Sequence, residues 1–407
     1  MRLRIKEICD YVSRGTTPDY VDEGSNKVMN QATFSKGWLD ESNIRYTSKA
    51  NKGARIMKGD LLMASTGGGV LGKVFFFDSD DDSFYADSHV TIMRNSKGAN
   101  LMKYLYYYFY LRYDEINATM VKGSTNQTEL QRNYLLSYEL DVPSLETQQR
   151  MVTYLDTKLS EIDRQVSLLT SKRDAYLRLK KSIINHAVTR GLNPNVKMKD
   201  SGIEWIGEVP EHWEVKRMKD ICVLSPNIKS CSEFKYGSYL PMEGLRLDQI
   251  ETSDELISTL QGKYTPFEDN DLLVAKVTPC FENGNIAIAK GLTNGVGFGS
   301  SEIFVLRANK YNSIRFLFYM SLASKFQDKA CTTMCGVGGL KRISPLFMKS
   351  HIVTIPPLPE QRAIATYLDD KCAKIDTIVS NLDKQISRYG DLKRSLIDEV
   401  ITGKRAV

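Results

Sequence analysis

The sequence predicts two tandem globular domains of mixed α/β (α+β) type, separated by two long helices that pair as an antiparallel coiled coil, with a pseudo-twofold internal repeat. Three observations predict it. The chain of 407 residues is too long for one ordinary core of ~100–200 residues. It repeats itself at an offset of 213 positions. Each copy also changes grammar part-way, from short alternating stretches with polar loops to a long heptad-patterned segment.

The repeat is read residue by residue. Tyr154-Leu155-Asp156 with Lys158, Ile162 and Asp163 recurs as Tyr367-Leu368-Asp369 with Lys371, Ile375 and Asp376. The same offset carries Arg4, Ile8 and Cys9 onto Arg217, Ile221 and Cys222, Arg94 onto Arg307, Gly123 onto Gly336, and Pro143 onto Pro356. Asp60-Leu61-Leu62 matches Asp271-Leu272-Leu273 at 211, as expected when one loop changes length. The expected boundaries are a first domain at 1–143, a helix at 144–191, a linker at 192–213, a second domain at 214–356 and a second helix at 357–407.

Within the domains, Val74 to Phe77, Val90 to Met93 and Ile303 to Leu306 read as strands, and Leu101 to Tyr113 and Ser313 to Phe326 as helices. The long segments open on Pro and Glu, and the first stops at Gly191 with Pro194 just beyond. Steps of four and three from Leu155 visit Leu159, Ile162, Val166, Leu169, Arg173, Tyr176, Lys180, Ile183 and Ala187, of which only Arg173 and Lys180 are polar. The copy from Leu368 visits Cys372, Ile375, Val379, Leu382, Ile386, Tyr389, Lys393, Leu396 and Val400, polar only at Lys393. Such a seam predicts a coiled coil, and two matching seams predict that the helices zip together. Each would span roughly 65 Å at about 1.5 Å per residue, with the two heads held at its ends. That arrangement has the logic of dimeric DNA readers, whose half-sites lie whole helical turns apart.

Composition excludes several classes. Hydrophobic content of 42% and charged content of 26% are those of a globular chain. The longest apolar-aromatic run, Leu105 to Leu111, is far shorter than a bilayer span and mostly tyrosine. The N-terminus, MRLRIKEICD, has no apolar core of a secretory signal, so a cytoplasmic location and no membrane partner are expected. Seven scattered cysteines and four histidines (89, 186, 212 and 351) form no disulfide framework or zinc pattern, so no metal is expected. A net charge of +6 permits an acidic partner without requiring one.

No motif supports catalysis by this chain. Gly67 to Lys73 has the spacing of a phosphate-cradling loop, but Val74 stands where a Ser or Thr must hold magnesium. A glycine-rich turn between strands, or a loop that approaches DNA, are the competing readings. Asp87-Ser88-His89 has the residue types of a triad, but neighbours on a strand point to opposite faces. No aminomethyltransferase tetrad, His-Glu-x-x-His or Gly-x-Ser-x-Gly occurs. The candidate site residues are instead those of DNA contact, amides for base edges and cations or hydroxyls for phosphate. In the first copy they are Lys27, Asn30, Gln31, Lys36, Ser65, Thr66, Lys73, Lys122, Ser124, Thr125, Asn126 and Gln127. In the second they are Lys229, Lys235, Arg246, Lys276, Thr278, Asn283, Lys341 and Arg342. The candidate seam is Leu155, Ile162, Val166 and Leu169 with Leu368, Ile375, Val379 and Leu382.

These features resemble one family. Ile355-Pro356-Pro357-Leu358-Pro359-Glu360-Gln361-Arg362 followed by Tyr367-Leu368-Asp369, the bridge Lys199 to Gly207 through Pro210-Glu211-His212-Trp213, Gly59-Asp60-Leu61-Leu62 and Asp87-Ser88-His89-Val90 are together similar to the specificity subunit of type I restriction-modification systems. The likeness runs over essentially the whole chain. It departs where the first copy begins at Met1 without a counterpart of 199–213, and where Leu145-Glu146-Thr147-Gln148-Gln149 replaces the Leu-Pro-Glu-Gln-Arg of the second copy. The resemblance implies two target-recognition domains, each reading one half of a bipartite, asymmetric site in double-stranded DNA. It implies helices that set the spacer and dock two methyltransferase subunits, and a restriction-translocase subunit in the larger complex. S-adenosylmethionine, ATP and magnesium are then expected on those partners and no cofactor on this chain. An adaptor that joins proteins through its coiled coil and ignores DNA sequence is the alternative.

Overall fold

The computed structural model describes residues 1–49, 51–96, 98–122, 128–203, 206–228, 233–337 and 339–407. It divides into two compact units, one formed by Met1–Leu169 with Lys384–Val407 and the other by Thr170–Asp383. Each unit therefore takes a globular head and a piece of both long helices.

The first head is built on two four-stranded sheets. One is antiparallel throughout and runs Tyr11–Arg14, Val90–Arg94, Leu61–Ala64, Val74–Phe76, with Leu62 facing Ile92 on one side and Phe75 on the other. Its central strand is buried at every position, because side chains on both faces meet apolar layers. The other sheet runs Tyr20–Val21, Arg45–Thr47, Asn26–Met29, Phe84–Ala86, and its last pair is parallel. The second head repeats this plan. Cys222–Leu224, Ile303–Ala308, Leu272–Ala275 and Ile286–Ile288 form the antiparallel sheet. Ser253–Leu256, Tyr236–Leu240, Val296–Gly299 and Thr265–Glu268 form the other, again with one parallel pair.

The repeat reaches the level of register. Arg2 faces Asp141 in the strand pair that ties the start of the first head to its end, and Val215 faces Thr354 in the second. Both partners move by the 213 positions seen in the sequence. In each head an arginine also grips a fully buried aspartate: Arg94 holds Asp60 at 2.6 Å and Arg307 holds Asp271 at 2.7 Å. Burial pushes the Asp60 carboxyl up, and the Arg94 guanidinium pulls against that shift. Removing either arginine would leave an uncompensated buried charge, a loss of about 3–5 kcal/mol.

The long helices run Leu145–Arg190 and Leu358–Ile401. Gly191 follows the first in the left-handed region (φ +75°), where glycine carries no Cβ penalty. In the first unit Leu155, Leu159 and Ile162 share a core with Leu396, Ile397, Val400 and Ile401. In the second, Ile184, Ala187 and Val188 share one with Ile364, Leu368 and Cys372. The direction is antiparallel in each: Asp163 meets Lys393 and Tyr154 meets Arg405, while Arg173 meets Asp383 and Lys180 meets Asp376. The polar seam positions Lys180 and Lys393 thus reach across to aspartates, at 2.6 and 2.9 Å. These two pairs are counterparts under the repeat. Of the candidate seam residues, Leu155, Ile162, Leu368, Ile375 and Leu382 are buried, whereas Val166, Leu169 and Val379 are half-buried.

Two local expectations change. The helix expected at Leu101 to Tyr113 is present as Ala99–Leu111, with Tyr113–Thr119 following it, whereas the one expected at Ser313 to Phe326 is two helices, Ile314–Leu322 and Ser324–Thr332. Ala323 takes an extended conformation between the latter pair, and its side chain is buried. Asp87-Ser88-His89 is not on a strand but forms the turn after Phe84–Ala86, where the His89 backbone N–H donates to the Asp87 carboxylate at 2.8 Å. It is no triad in this geometry either.

One difference between the heads has a measurable consequence. His351 stands where the first head has Tyr138, packed against Phe326 and Phe347 with ring centroids 5.0 and 4.8 Å away. Burial, helped by the Lys329 charge, pushes its imidazole down to about 4. An imidazole whose folded pKa is depressed contributes stability that is present above its usual value near 6.5 and lost as pH falls toward 4, because the unfolded chain binds the extra proton there. The chain's thermal midpoint should drop over that window by the equivalent of up to about 3 kcal/mol. His351→Phe should flatten this pH dependence; an unchanged acid slope would show that His351 is not its source.

Candidate nucleic-acid interface

The same corner is built twice. In the first unit the central strand Leu61–Ala64 runs into the loop Gly67 to Gly72 and returns as Val74–Phe76. Gly67, Gly69 and Gly72 all take positive φ (97°, 80° and 84°), which lets the chain reverse within so few residues. Thr66 pairs with Glu129, and the Leu130 N–H donates to the Ser65 carbonyl at 2.8 Å. These contacts bind the loop to the hairpin Val121–Lys122 with Glu129–Leu130. In the second unit Leu272–Ala275 runs into Thr278 to Gly284 and returns as Ile286–Ile288. Val277 pairs with Arg342, and the Ile343 N–H donates to the Lys276 carbonyl at 3.0 Å. That loop is bound to the hairpin Cys335–Val337 with Leu340–Arg342. Gly336 is required there, since a Cβ would lie 2.0 Å from the Leu340 carbonyl oxygen.

The structure brings part of the candidate set to this corner. In the first unit Lys73 reaches from the loop to the Ser35 carbonyl at 2.9 Å, just beyond the short helix Gln31–Phe34. A Cβ on Gly67 would lie 3.4 Å from the Gln31 amide nitrogen, so Gln31 rests on the glycine loop. Thr66 bonds His89 at 2.7 Å. Lys122 is exposed on the hairpin. Ser124, Thr125, Asn126 and Gln127 lie outside the described residues, as does Lys229. In the second unit Lys276, Thr278, Asn283, Lys341 and Arg342 all belong to the loop and its hairpin. Lys341 and Asn283 are exposed. Lys235 and Arg246 stand on other elements, the first beside Tyr236–Leu240 and the second on the short pair Leu245–Arg246 with Gln249–Ile250.

Several candidates make contacts within the protein. Ser65 is fully buried and clasps Thr91 at 2.5 Å, so its hydroxyl ties two strands rather than facing a ligand. Thr278 is buried, donates to the Gly339 carbonyl at 2.9 Å and accepts from the Lys341 N–H at 3.0 Å. The Asn30 side-chain oxygen caps its helix by accepting from the Ala32 and Thr33 N–H groups. Lys27, Lys36, Arg246 and Arg342 pair with Asp81, Asp40, Glu251 and Glu302. Lys276 donates to the Ser301 carbonyl at 2.7 Å over the Phe304 ring, and burial lowers its pKa against the pull of Glu302. Sequence reasoning missed Glu129 and His89 as parts of this corner. The pairing of Glu129 with Thr66 lies 63 positions apart and leaves no periodic trace.

The glycine loop joins two antiparallel strands, whereas a phosphate-cradling loop runs from a strand into a helix, and Lys73 is spent on a backbone carbonyl. The nucleotide reading is therefore set aside. Among the described residues no group of three or more His, Cys, Asp or Glu side chains could hold a metal, and no helix is long and apolar enough to cross a membrane. The six described cysteines are free thiols.

The chain is similar to known proteins. The family described as type I restriction modification DNA specificity domain matches residues 1–169 and 210–388. The EcoEI specificity subunit of Escherichia coli is 27% identical over 199 residues, which are 48% of this chain and 33% of that protein. The matched part is thus about a third of the length of that relative. The MjaVIII specificity subunit of Methanocaldococcus jannaschii is 21% identical over 327 residues, 77% of this chain and 73% of that one. A solved chain from a study of complex assembly and conformational transition of the type I restriction-modification system shares the fold, with a TM-score of 0.70 at 13% identity, over 98% of this chain and 97% of that chain. With two matched segments that coincide with the two repeats, the chain belongs to the type I restriction-modification DNA specificity family.

Proposed function

We propose that this chain is the DNA-reading subunit of a type I restriction-modification complex and catalyses nothing itself. Each head reads one half of a bipartite, asymmetric site. The paired long helices set the spacer and dock two methyltransferase subunits, with a restriction-translocase subunit joining the assembly. Methyl transfer from S-adenosylmethionine and ATP hydrolysis belong to those partners.

One observation carries this reading. The same corner is built in both units by the same pairings, yet its loops are different in chemistry. Gly67 to Gly72 offers backbone and little side chain; Thr278 to Gly284 offers Glu282 and Asn283. A shared frame with diverged tips is what two readers of unlike half-sites require, because frame contacts fix position while loop side chains select bases. An adaptor that only joins proteins has no use for that divergence.

The exposed cations Lys122 and Lys341 supply the test. In the complex co-purified with its neighbouring methyltransferase, duplex affinity should fall steeply with salt, and Lys122→Glu with Lys341→Glu should reduce the slope of log K against log salt by about 0.9 per lost phosphate contact. Affinity indifferent to salt and to both changes would favour the adaptor.

A further inference from the structure

The aspartate of the repeated Tyr-Leu-Asp motif ends in the same kind of contact twice. In the first unit Asp156 accepts from the Tyr107 hydroxyl at 2.5 Å and meets the Lys103 ammonium at 2.8 Å. Tyr107 and Lys103 lie on Ala99–Leu111 of the head, Asp156 on the long helix. In the second unit Asp369 accepts from the Tyr319 hydroxyl at 2.6 Å and meets the Arg315 guanidinium at 2.7 Å. Tyr319 and Arg315 lie on Ile314–Leu322 of that head. Arg315 also holds Asp248 through two bonds of 2.6 and 2.8 Å, which extends the second tie to the Leu245–Ile250 turn. The apolar cores around Leu155 and Leu368 press head and helix together, but apolar contact resists sliding and rotation only weakly. Charge-assisted hydrogen bonds are directional and fix an angle.

We infer that Asp156 and Asp369 are positioning residues that lock each head at one setting on its long helix and so restrict the complex to one spacer length between half-sites. The inference rests on the reading above. If the helices carry the distance, any play at the head–helix joint becomes tolerance in that distance. Among the described residues the partners of both aspartates lie on the head helices and not in the loops of the corner, so they govern spacing and not base choice.

The experiment selects duplexes from a random pool with the methyltransferase-bound complex, for the unaltered chain and for Asp156→Asn and Asp369→Asn. Both variants should recover the parent's two base blocks, with sites one base pair shorter or longer enriched about tenfold over the parent's level, the worth of one charge-assisted hydrogen bond. Tyr107→Phe and Tyr319→Phe remove one hydroxyl each and leave the ion pairs, so they report even if an asparagine variant fails to fold. They should broaden the spacer in the same sense and less. A spacer as narrow as the parent's in every folded variant, with only the melting temperature lowered, overturns the inference. So does a changed base block. A parent that yields no paired blocks would instead remove the reading of function on which the inference depends.

Discussion

Exchanging residues 1–143 for the corresponding head of another member of this family should replace one block of the recognised sequence and leave the other block and the spacer as they were. The first head closes on itself: its opening strand Arg2–Arg4 pairs with Glu139–Asp141 at its end, so the head can be cut out where both ends already meet. Among the described residues its two sheets are built from strands between Tyr11 and Arg94. The corresponding corner of the second unit, from Lys276 to Arg342, remains untouched by the exchange. The effect should be all or none at the replaced block, because each wrong base pair costs about 1–3 kcal/mol and several are changed together. Selection from a random pool with the hybrid complex measures it. A change in both blocks would mean that the heads read one continuous site.

Inserting one heptad after Leu169 and one after Leu382 should lengthen the preferred spacer by about three base pairs, since seven residues add about 10 Å and base pairs stack 3.4 Å apart. The first insertion falls on the border of the two compact units at Leu169–Thr170, and the second falls one residue short of the border at Asp383–Lys384. They leave the cores around Leu155 and Leu368 intact and keep the heptad phase. The pairs Lys180 with Asp376 and Lys393 with Asp163 are each internal to one unit and move with it. Among the described residues the ion pair separated is Arg173 with Asp383, a partly exposed contact at 3.5 Å that is worth little. Binding selections with the lengthened chain give the spacer directly. An unchanged spacer would remove the helices as the ruler.

Much of the architecture was legible because two independent periodicities carry it. The 213-residue offset marks both heads, and the alternating steps of four and three mark the helices through to Ala187 and Val400. Lys180 and Lys393 stood out as polar interruptions, yet their partners Asp376 and Asp163 could be found only once the antiparallel register was known. The parallel pairing of Asn26–Met29 with Phe84–Ala86 left no trace, since the strands are far apart in sequence and short. Nor did the break at Ala323, a buried residue with neither proline nor glycine beside it to announce it.

The corner was legible as a glycine-rich turn and polar stretches, and the individual roles within it were not. Ser65 and Thr278 look in sequence like any exposed hydroxyl, and only tertiary hydrogen bonds to Thr91 and Gly339 turn them inward. Lys73 stands at phosphate-loop spacing from the glycines, but the turn directs it to the Ser35 carbonyl. Composition cannot distinguish a cation that a nearby carboxylate satisfies, such as Arg342 beside Glu302, from one that is exposed, such as Lys341.

The claim that one chain reads two unlike half-sites is tested most directly by letting the intact complex choose. The chain, in complex with the methyltransferase subunits proposed as its partners, is mixed with a random duplex pool, and the bound fraction is sequenced. Two short, different base blocks on either side of a fixed-length indifferent spacer are the predicted result. No enrichment of any sequence by an intact complex would contradict it and leave a coiled-coil adaptor in its place.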